Sequence, residues 1–368
     1  MRQARGLRRP GLSLVRVIGA IAGLCLGCAA STPQRIDALL APLRSDHAPG
    51  AAVMVIRGDE VAYTGAVGLA DVERGIPIGP RTAFDIASMS KQFTGMLAIL
   101  LHEDGRLDYD APVIRFLPEL ARFGDRMTVR HLLTHTSGLP DYYDALARGR
   151  DAGGWVTNRD ALAYLERQGD PVFTPGDRFL YSDAGYEMLA LILERVAGMP
   201  FADLLKVRIL EPLGMNDTML RDRPDLPVPN RARGYALMRD GFVAFQDHPL
   251  DCLAGSGAVN TTLHDLALWD RALATGRLVP TTTLDQTLRP VRLNDGAESP
   301  YGFGWFLNRD LWRRRWEHPG SWRGFQALIV RYPDDRLTVI LLANRSDIDL
   351  GDLADRIVRI EGGLHWLP

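Results

Sequence analysis

A serine and a lysine lie three residues apart in FDIASMSKQFTG, residues 84–95: Ser88 and Lys91. A helix that begins at Ser88 places the two side chains on one face, one turn apart. A serine hydroxyl is a poor nucleophile until a base removes its proton, and a buried lysine can be that base when its pKa is depressed. The spacing alone is a weak signal, because Ser-x-x-Lys also occurs by chance at exposed helix starts. The competing serine, Ser90, directly precedes Lys91 and should face elsewhere.

Lysine is rare in this chain. Of the 43 basic residues only two are lysines, Lys91 and Lys206. Arginine stays protonated in proteins, whereas lysine can lose its proton when it is buried or placed near other cations. A position that needs a base cannot accept arginine, so the rarity favours a chemical role for Lys91. The alternative is a leftover surface lysine.

A second group of candidate residues lies in FTPGDRFLYSDAGYEMLALILERVAG, residues 173–198. We expect a helix to begin near Asp183, which is a good N-cap residue. Tyr181, just before it, offers a phenolic oxygen as a second proton relay. The alternative for Tyr181 is a half-buried aromatic residue with its hydroxyl in solvent.

A third group lies in WEHPGSWRGFQALIV, residues 316–330. Gly320 would let a backbone come close to a ligand, and His318 would present an imidazole beside it. The alternative is an ordinary turn between two strands.

Composition excludes several classes of protein. The chain has 368 residues, 46% of them hydrophobic and 24% charged, and a net charge of −2. These values are those of a globular protein, and the near-neutral charge argues against nucleic acid as a partner. The cysteines form no metal-binding pattern. His131 and His135 are spaced as in some zinc sites, but the glutamate expected after the first histidine is missing, so we predict no metal there.

The first thirty residues have the pattern of an export signal. MRQARGLRRPGLSLVR holds five arginines and no acid, and an apolar stretch of small residues follows. That stretch is too short for an ordinary membrane-spanning helix. LCLGC resembles a lipoprotein box with Cys28 as the lipid acceptor, while cleavage after Ala29 or Ala30 and an uncleaved membrane anchor are the alternatives. We therefore expect an exported bacterial protein, in the periplasm or membrane-anchored and facing the periplasm or cell exterior.

Strand patterns lie near both ends of the remaining chain, and helical patterns lie between them. The stretch 50–68 predicts a hairpin around Gly58-Asp59, and strands are predicted at 301–308, 313–318, 324–332 and 336–344. Strands at both ends suggest one sheet with a helical insertion. We predict one domain over residues 31–368, with an α/β lobe of about 34–87 and 290–368 and a helical lobe of about 88–289.

Together, the three groups and their order resemble the serine β-lactamase and penicillin-binding protein superfamily, in its class C-like branch of esterases, D-aminopeptidases and D,D-peptidases. Ser-x-x-Lys is one of the motifs of that superfamily, and the Ser88 segment contains it. The resemblance covers roughly residues 34–345 and implies an α+β fold with an antiparallel sheet flanked by helices and a mainly helical insertion. Further matching stretches are HLLTHTSGLPDY (131–142), EPLGMNDT (211–218) and GSGAVNTTLHDLALW (255–269).

The resemblance also implies a mechanism. Ser88 would attack a carbonyl carbon and become acylated, while Lys91 and Tyr181 share the proton transfers. The backbone N–H groups of Ser88 and Ser321 would form the oxyanion hole. No metal or organic cofactor is implied, and the partner would be a small ester, amide or peptide.

Two positions depart from the antibiotic-destroying members of the superfamily. Asp183 stands where asparagine is usual; facing Lys91, it would favour the charged lysine. Either Tyr181 then carries more of the base role, or Asp183 holds Lys91 in place. His318 stands where lysine is usual and is mostly neutral at pH 7, which leaves Arg323 as the candidate cation for a substrate carboxylate.

These residues predict an exported serine hydrolase that acts on esters or small amides. One alternative is a D,D-peptidase or class C-like β-lactamase acting on peptidoglycan peptides or β-lactams. Another, of a different class, is a non-hydrolysing sensor that binds the same molecules and becomes acylated without turnover.

Overall fold

The computed structural model describes residues 31–148, 154–310 and 312–362. The predicted export signal, residues 1–30 with Cys28, lies outside these ranges, so its role stays a prediction. Within the described ranges, no helix combines the length and the apolar character needed to cross a membrane.

The described residues form short strands and helices that alternate along the chain. The strands are β1 (Ala51–Arg57), β2 (Glu60–Val67), β3 (Leu69–Asp71), β4 (Ile76–Pro77), β5 (Phe84–Asp85), β6 (Met219–Leu220), β7 (Tyr235–Met238), β8 (Gly241–Ala244), β9 (Val259–Thr261), β10 (Phe306–Asp310), β11 (Arg313–Trp322), β12 (Phe325–Tyr332) and β13 (Leu337–Ala343). The α-helices are α1 (Thr32–Leu40), α2 (Lys91–Glu103), α3 (Val129–Leu133), α4 (Tyr143–Arg148), α5 (Asn158–Glu166), α6 (Asp183–Ala197), α7 (Phe201–Leu205), α8 (Glu211–Leu213), α9 (Leu263–Thr275), α10 (Thr281–Thr287) and α11 (Leu350–Gly362).

The main sheet is antiparallel and takes its six strands from both ends of the chain. Its order is β10-β11-β12-β13-β1-β2, so the first strands of the chain pair with the last one. The hairpin predicted around Gly58-Asp59 is confirmed as β1 and β2. The predicted fold class is therefore confirmed, with helices α2 to α10 lying between β2 and β10 in the sequence. The boundaries of the two lobes stay predictions.

Both faces of the sheet are covered, which explains why β1 is apolar at nearly every position. On one face, Val53 packs in a cluster with Ile36 of α1 and Ile357 of α11. On the other face, Met54 belongs to the larger core that includes Trp269 of α9. Both faces of the sheet therefore contribute to the core. Strand β11, next to the edge strand β10, reaches the functional residues described below.

The last quarter of the chain differs from prediction at two points. A strand was expected from residue 301, but β10 begins at Phe306, because a hydrogen bond from Gly302 N–H to Trp305 O folds the intervening segment into a turn. The strand predicted at 313–318 was expected to end at His318, but β11 continues through the Pro-Gly segment to Trp322. The reversal comes at Arg323 and Gly324, whose φ angles are 46° and 82°.

Candidate active site

Ser88 lies in a tight 3₁₀ turn, Ala87–Ser90, that runs directly into α2. The expected α-helix thus begins one turn later, at Lys91. Ala87 has a φ of 46°, an uncommon value for a residue with a side chain, and its N–H donates to Asp85 Oδ1 at 2.9 Å. Side chains three residues apart in a 3₁₀ turn eclipse each other, so this turn brings Ser88 and Lys91 together.

Lys91 is completely buried and its ammonium nitrogen has three partners. Nζ lies 3.2 Å from Ser88 Oγ and 2.5 Å from Asp183 Oδ1, and it donates to Ser256 O at 3.0 Å. These partners come from the Ser88 turn, from the start of α6 and from the loop before β9. The lysine therefore joins three segments that are far apart in the sequence.

Asp183 decides the resting charge of Lys91. Burial lowers the pKa of the Lys91 ammonium, but the Asp183 carboxylate and the Tyr181 phenol together raise it by more, so that the pKa lies above its ordinary value. Lys91 is consequently an ammonium ion at neutral pH. The expectation that Asp183 favours the charged lysine is met, although Asp183 is the first residue of α6 and the N-cap is Ser182, which accepts from Gly185 N–H.

Tyr181 lies beside the lysine. Lys91 Nζ is 4.9 Å from the centre of the Tyr181 ring, and the tyrosine hydroxyl is buried. Burial raises the pKa of the Tyr181 phenol, although the charge of Lys91 acts in the other direction. His135 packs on Tyr181 with 4.2 Å between ring centres, and its Nδ1 accepts from Ser182 N–H. At rest Tyr181 is a neutral phenol against a charged lysine.

Strand β11 passes next to the Ser88 turn because of Gly320. A Cβ at position 320 would lie 2.1 Å from Ile86 O and 3.1 Å from Met89 N, so no other residue allows this approach. The next residue, Ser321, lines the same cleft as Ser88. The close approach at Gly320 is thus made to the backbone of the Ser88 turn, and the predicted approach to a ligand stays a prediction.

His318 does not line the cleft, contrary to the expectation that it faces a ligand. It is fully buried, with Nδ1 2.6 Å from Pro319 O and Nε2 2.7 Å from Tyr301 Oη. Nδ1 therefore carries the ring proton, and Nε2 accepts from the tyrosine. Burial, helped by the charge of Lys91, lowers the pKa of His318 to about 3. The imidazole supports the aromatic packing behind the site and provides no cation.

The cleft has a volume of about 540 Å³, and most of the charged side chains in its lining are acidic. Among the described residues that line it, four carry carboxyl groups and Arg323 carries a guanidinium. The Arg323 guanidinium is held in place: Nη2 donates to Gln246 O at 2.8 Å, and its carbon lies 4.6 Å from the centre of the Phe245 ring. The four acidic residues are Asp85, Asp144, Asp183 and Asp251.

One group of described residues has potential metal ligands close together. The ligand atoms of Asp217, His264 and Asp265 all lie within 4.8 Å of one another. Asp265 Oδ2 already accepts from Asp217 N–H at 2.8 Å and from the Thr218 hydroxyl at 2.7 Å. These bonds account for the cluster as a local cap of α9.

Two residues of the site were missed in the sequence. Ser256 supplies a carbonyl to Lys91 across 165 positions, and no local pattern could reveal that contact. Glu187 is fully buried on α6 behind the cleft. Its signal was present: it is a lone acid within the otherwise apolar stretch YEMLALIL. The structure brings Ser88, Lys91 and Asp183 into direct contact.

Comparisons with known proteins agree with this arrangement. The family model described as Beta-lactamase matches residues 34–362. Penicillin-binding protein 4* of Bacillus subtilis is 33% identical over 331 residues, which are 85% of this chain and 72% of that protein. D-aminopeptidase of Gluconobacter oxydans is 29% identical over 317 residues, again 85% of this chain but only 59% of the relative.

A solved structure supports the same conclusion. D-amino acid amidase from Ochrobactrum anthropi, in complex with L-phenylalanine amide, superposes with a TM-score of 0.74 at 26% sequence identity. The match covers 89% of this chain and 98% of the amidase. The chain therefore belongs to the beta-lactamase family and is a serine hydrolase.

Proposed function

We propose that this protein hydrolyses small amides and esters through an acyl-enzyme on Ser88. The observation that carries the proposal is the contact of Ser88 Oγ with Lys91 Nζ, 3.2 Å apart, at the wall of a cleft that Ser321 also lines. A nucleophile in contact with a buried lysine, in a cleft large enough for a small molecule, is the arrangement that acyl transfer needs.

The proposed reaction forms and breaks bonds in the following order, starting from the contact between Ser88 and Lys91. Ser88 Oγ attacks the carbonyl carbon of the substrate, and its proton passes to Lys91. The bond to the leaving group breaks, and the leaving amine or alcohol takes that proton through Lys91 or Tyr181. Water then attacks the ester on Ser88, which releases the acid and returns the proton to the serine. The N–H groups of Ser88 and Ser321 are the proposed donors to the developing oxyanion, each worth about 10²–10³ in rate.

Lys91 must lose its own proton before it can accept that of Ser88, and Asp183 is the proposed acceptor. The two side chains are 2.5 Å apart, and the Asp183 side chain is 28% exposed while Lys91 is sealed. A substrate that displaces water from Asp183 makes the ion pair more costly than the neutral pair, which favours transfer of the proton from Lys91 to Asp183.

The charge of the cleft supports a substrate with a free amino group. Asp183 is paired with Lys91, and Asp85 with Arg231. This leaves Asp144 and Asp251 as the lining carboxyl groups that can attract an ammonium ion, and Arg323 is the single arginine among the described lining residues. The two relatives named D-aminopeptidase and D-amino acid amidase fit the same substrate class. We therefore favour amides of amino acids, or short peptides, with an unblocked amino group.

A second candidate is a D,D-peptidase or β-lactamase, which Arg323 favours. Its guanidinium lies in the cleft wall beside Trp322, where it could hold a substrate carboxylate. Penicillin-binding protein 4* is a relative of that kind by name. Loss of activity in Arg323→Ala that is confined to carboxylate-bearing substrates would favour this candidate.

Pre-steady-state kinetics test the proposal. The purified protein is mixed with alanine p-nitroanilide, with its N-acetylated form, with p-nitrophenyl acetate and with a chromogenic cephalosporin. We expect a burst of product followed by steady turnover, faster for the free amine than for the N-acetylated amide, and no burst in Ser88→Ala. Activity on the cephalosporin alone would favour the second candidate, and a burst without turnover would indicate the non-hydrolysing sensor.

Ser90→Ala is the matched control, because Ser90 is the neighbouring serine and its hydroxyl accepts from Val259 N–H rather than from Lys91. It should retain the burst. Equal bursts in the wild-type protein and Ser88→Ala would contradict the proposal.

A further inference from the structure

A buried glutamate that the proposed chemistry does not use lies directly behind the cleft. Glu187 is on α6, one turn after Asp183, and it is 0% exposed. An acidic side chain is almost never fully buried unless it is paired, so its partners need an explanation.

Glu187 joins two walls of the cleft through one oxygen atom. Oε1 accepts from the Tyr143 hydroxyl at 2.9 Å and from the Ser256 hydroxyl at 2.7 Å. Tyr143 and Ser256 both line the cleft. Ser256 also provides the carbonyl that accepts from Lys91 Nζ. The glutamate is therefore one residue removed from the ammonium group that contacts Ser88.

The backbone carbonyl of Glu187 helps to hold the loop that carries Ser256, through the side chain of Asn158. The Asn158 side chain donates to Glu187 O at 3.0 Å and to Ala254 O at 2.8 Å, and it accepts from Ala254 N–H. The loop that carries Ser256 is thus held both by the side chain and by the main chain of Glu187. Its position, and with it the position of the carbonyl bound to Lys91, depends on this residue.

The burial of Glu187 favours the neutral form of its carboxyl group. Oε2 is buried and has no hydrogen-bond partner among the residues that the structure describes. With donors on Oε1 alone, a buried carboxylate is more costly than the neutral carboxyl group, although a protonated Oε2 also lacks an acceptor there. Burial accordingly raises the pKa of Glu187 to about 8, although the Ser256 hydroxyl and Lys91 act against the shift.

The charged groups around Glu187 come from several elements. Lys91 lies on α2, Asp141 lies in the segment before α4, and Asp183 lies on α6 itself; α5 contributes the neutral amide of Asn158. A negative charge on Glu187 would therefore stabilise the ammonium form of Lys91, which cannot accept the proton of Ser88.

We propose that Glu187 is a positioning residue of the hydrolase: its neutral carboxyl group holds Tyr143 and Ser256 at the cleft, and its ionisation slows acylation by keeping Lys91 protonated. This inference rests on the proposed function. It assigns two roles to Glu187, a buried residue outside the cleft. The residue positions two cleft side chains, and its ionisation causes the loss of acylation rate at high pH.

Two substitutions separate these roles. Glu187→Gln keeps the oxygen that Tyr143 and Ser256 need and cannot ionise, whereas Glu187→Leu loses both hydrogen bonds. We expect Glu187→Gln to acylate within about threefold of the wild-type rate at pH 7, and Glu187→Leu to fall about tenfold or more, mainly in kcat. At pH 9 the wild-type rate should drop about tenfold, since about a tenth of Glu187 remains neutral, while Glu187→Gln keeps its rate.

Thermal unfolding against pH provides a readout that does not depend on catalysis. The folded-state pKa of about 8 lies above that of the unfolded chain, so the unfolded state loses this proton first. The group therefore lowers stability progressively as pH rises from about 4.5 to about 8. The Tm of Glu187→Gln, relative to the wild-type protein, should rise across that window.

The outcomes are distinct. If no protein acylates but the Tm difference appears, the proposed function fails and the kinetic half of this inference is overturned with it, while the neutral state of Glu187 stands. Identical pH profiles of wild type and Glu187→Gln in both measurements, or full activity of Glu187→Leu, would overturn the inference. Glu194→Gln, two turns further along α6 and bonded to Phe201 N–H, is the matched control and should keep the wild-type profiles.

Discussion

Two buried ion pairs in this protein have nearly the same geometry and serve different purposes. Arg331 Nε lies 2.6 Å from Asp270 Oδ1, and Lys91 Nζ lies 2.5 Å from Asp183 Oδ1. The first pair is sealed on both sides, with side chains 7% and 6% exposed. In the second pair the lysine is sealed but the aspartate opens to the cleft.

The difference lies in which proton can move. Arg331 cannot give up its proton, and Asp270 receives a further bond from the Thr338 hydroxyl, so that pair joins α9 to the sheet permanently. Lys91 can become neutral, and its partner is reached by whatever enters the cleft. A chain that uses arginine for nearly all its cations thus has a lysine at the position where we propose a proton transfer.

Replacing Lys91, which can lose a proton, by arginine, which stays protonated, should have the largest effect on the rate of catalysis. Lys91→Arg preserves the charge beside Asp183 but removes the base, so the acylation rate should fall between about 10²- and 10⁴-fold. Burst kinetics with a chromogenic ester measure the rate, and circular dichroism checks the fold. The control is Lys206→Arg, which changes the other lysine, 63% exposed beside Glu211, and should leave the rate unchanged. Full activity of Lys91→Arg would exclude Lys91 as the base.

Removing the proposed proton acceptor should have the next largest effect. Asp183→Asn keeps a hydrogen-bond acceptor for Lys91 but cannot take its proton, so kcat should fall about 10- to 100-fold with little change in KM. Steady-state kinetics at pH 7 measure both constants. Equal or higher activity would mean instead that Asp183 only holds the lysine in place and that the asparagine frees it as a base.

Breaking the sealed pair should leave catalysis almost unchanged and reduce stability. Arg331→Met leaves Asp270 buried without its cation, which should lower the free energy of unfolding by about 3–5 kcal/mol. Urea denaturation measures the loss, and burst kinetics on the folded fraction should remain within about twofold of wild type. Arg314→Met, at a pair with Asp334 whose side chains are about 40% exposed, is the control and should cost less than about 1 kcal/mol. A similar loss in both variants would remove the distinction between sealed and exposed pairs.

Much of the fold was predictable because its signals are local. The hairpin of β1 and β2 follows from its apolar runs and its Gly-Asp turn, and the two-sided burial of the sheet follows from strands that are apolar throughout. The prediction for residues 301–305 was wrong because aromatic residues suggest a strand, while a backbone hydrogen bond within the segment makes a turn. The predicted end of the strand at His318 was also wrong, because Arg323 and Gly324 make the reversal instead.

The sequence by itself predicted Ser88 as the nucleophile, Lys91 as its neighbour and Gly320 as a point of close backbone approach, because the residue types and the order of the three groups resemble a known superfamily. It left the protonation of Lys91 open, it showed Glu187 only as a lone acid in an apolar stretch, and it could not reveal that His318 is buried or that Ser256 contacts Lys91. Those features depend on contacts between distant segments: Asp183 lies 92 positions from Lys91, and Ser256 lies 165. Burial and the charges of spatial neighbours set the pKa of an ionisable group, and both exist only once the tertiary structure has formed.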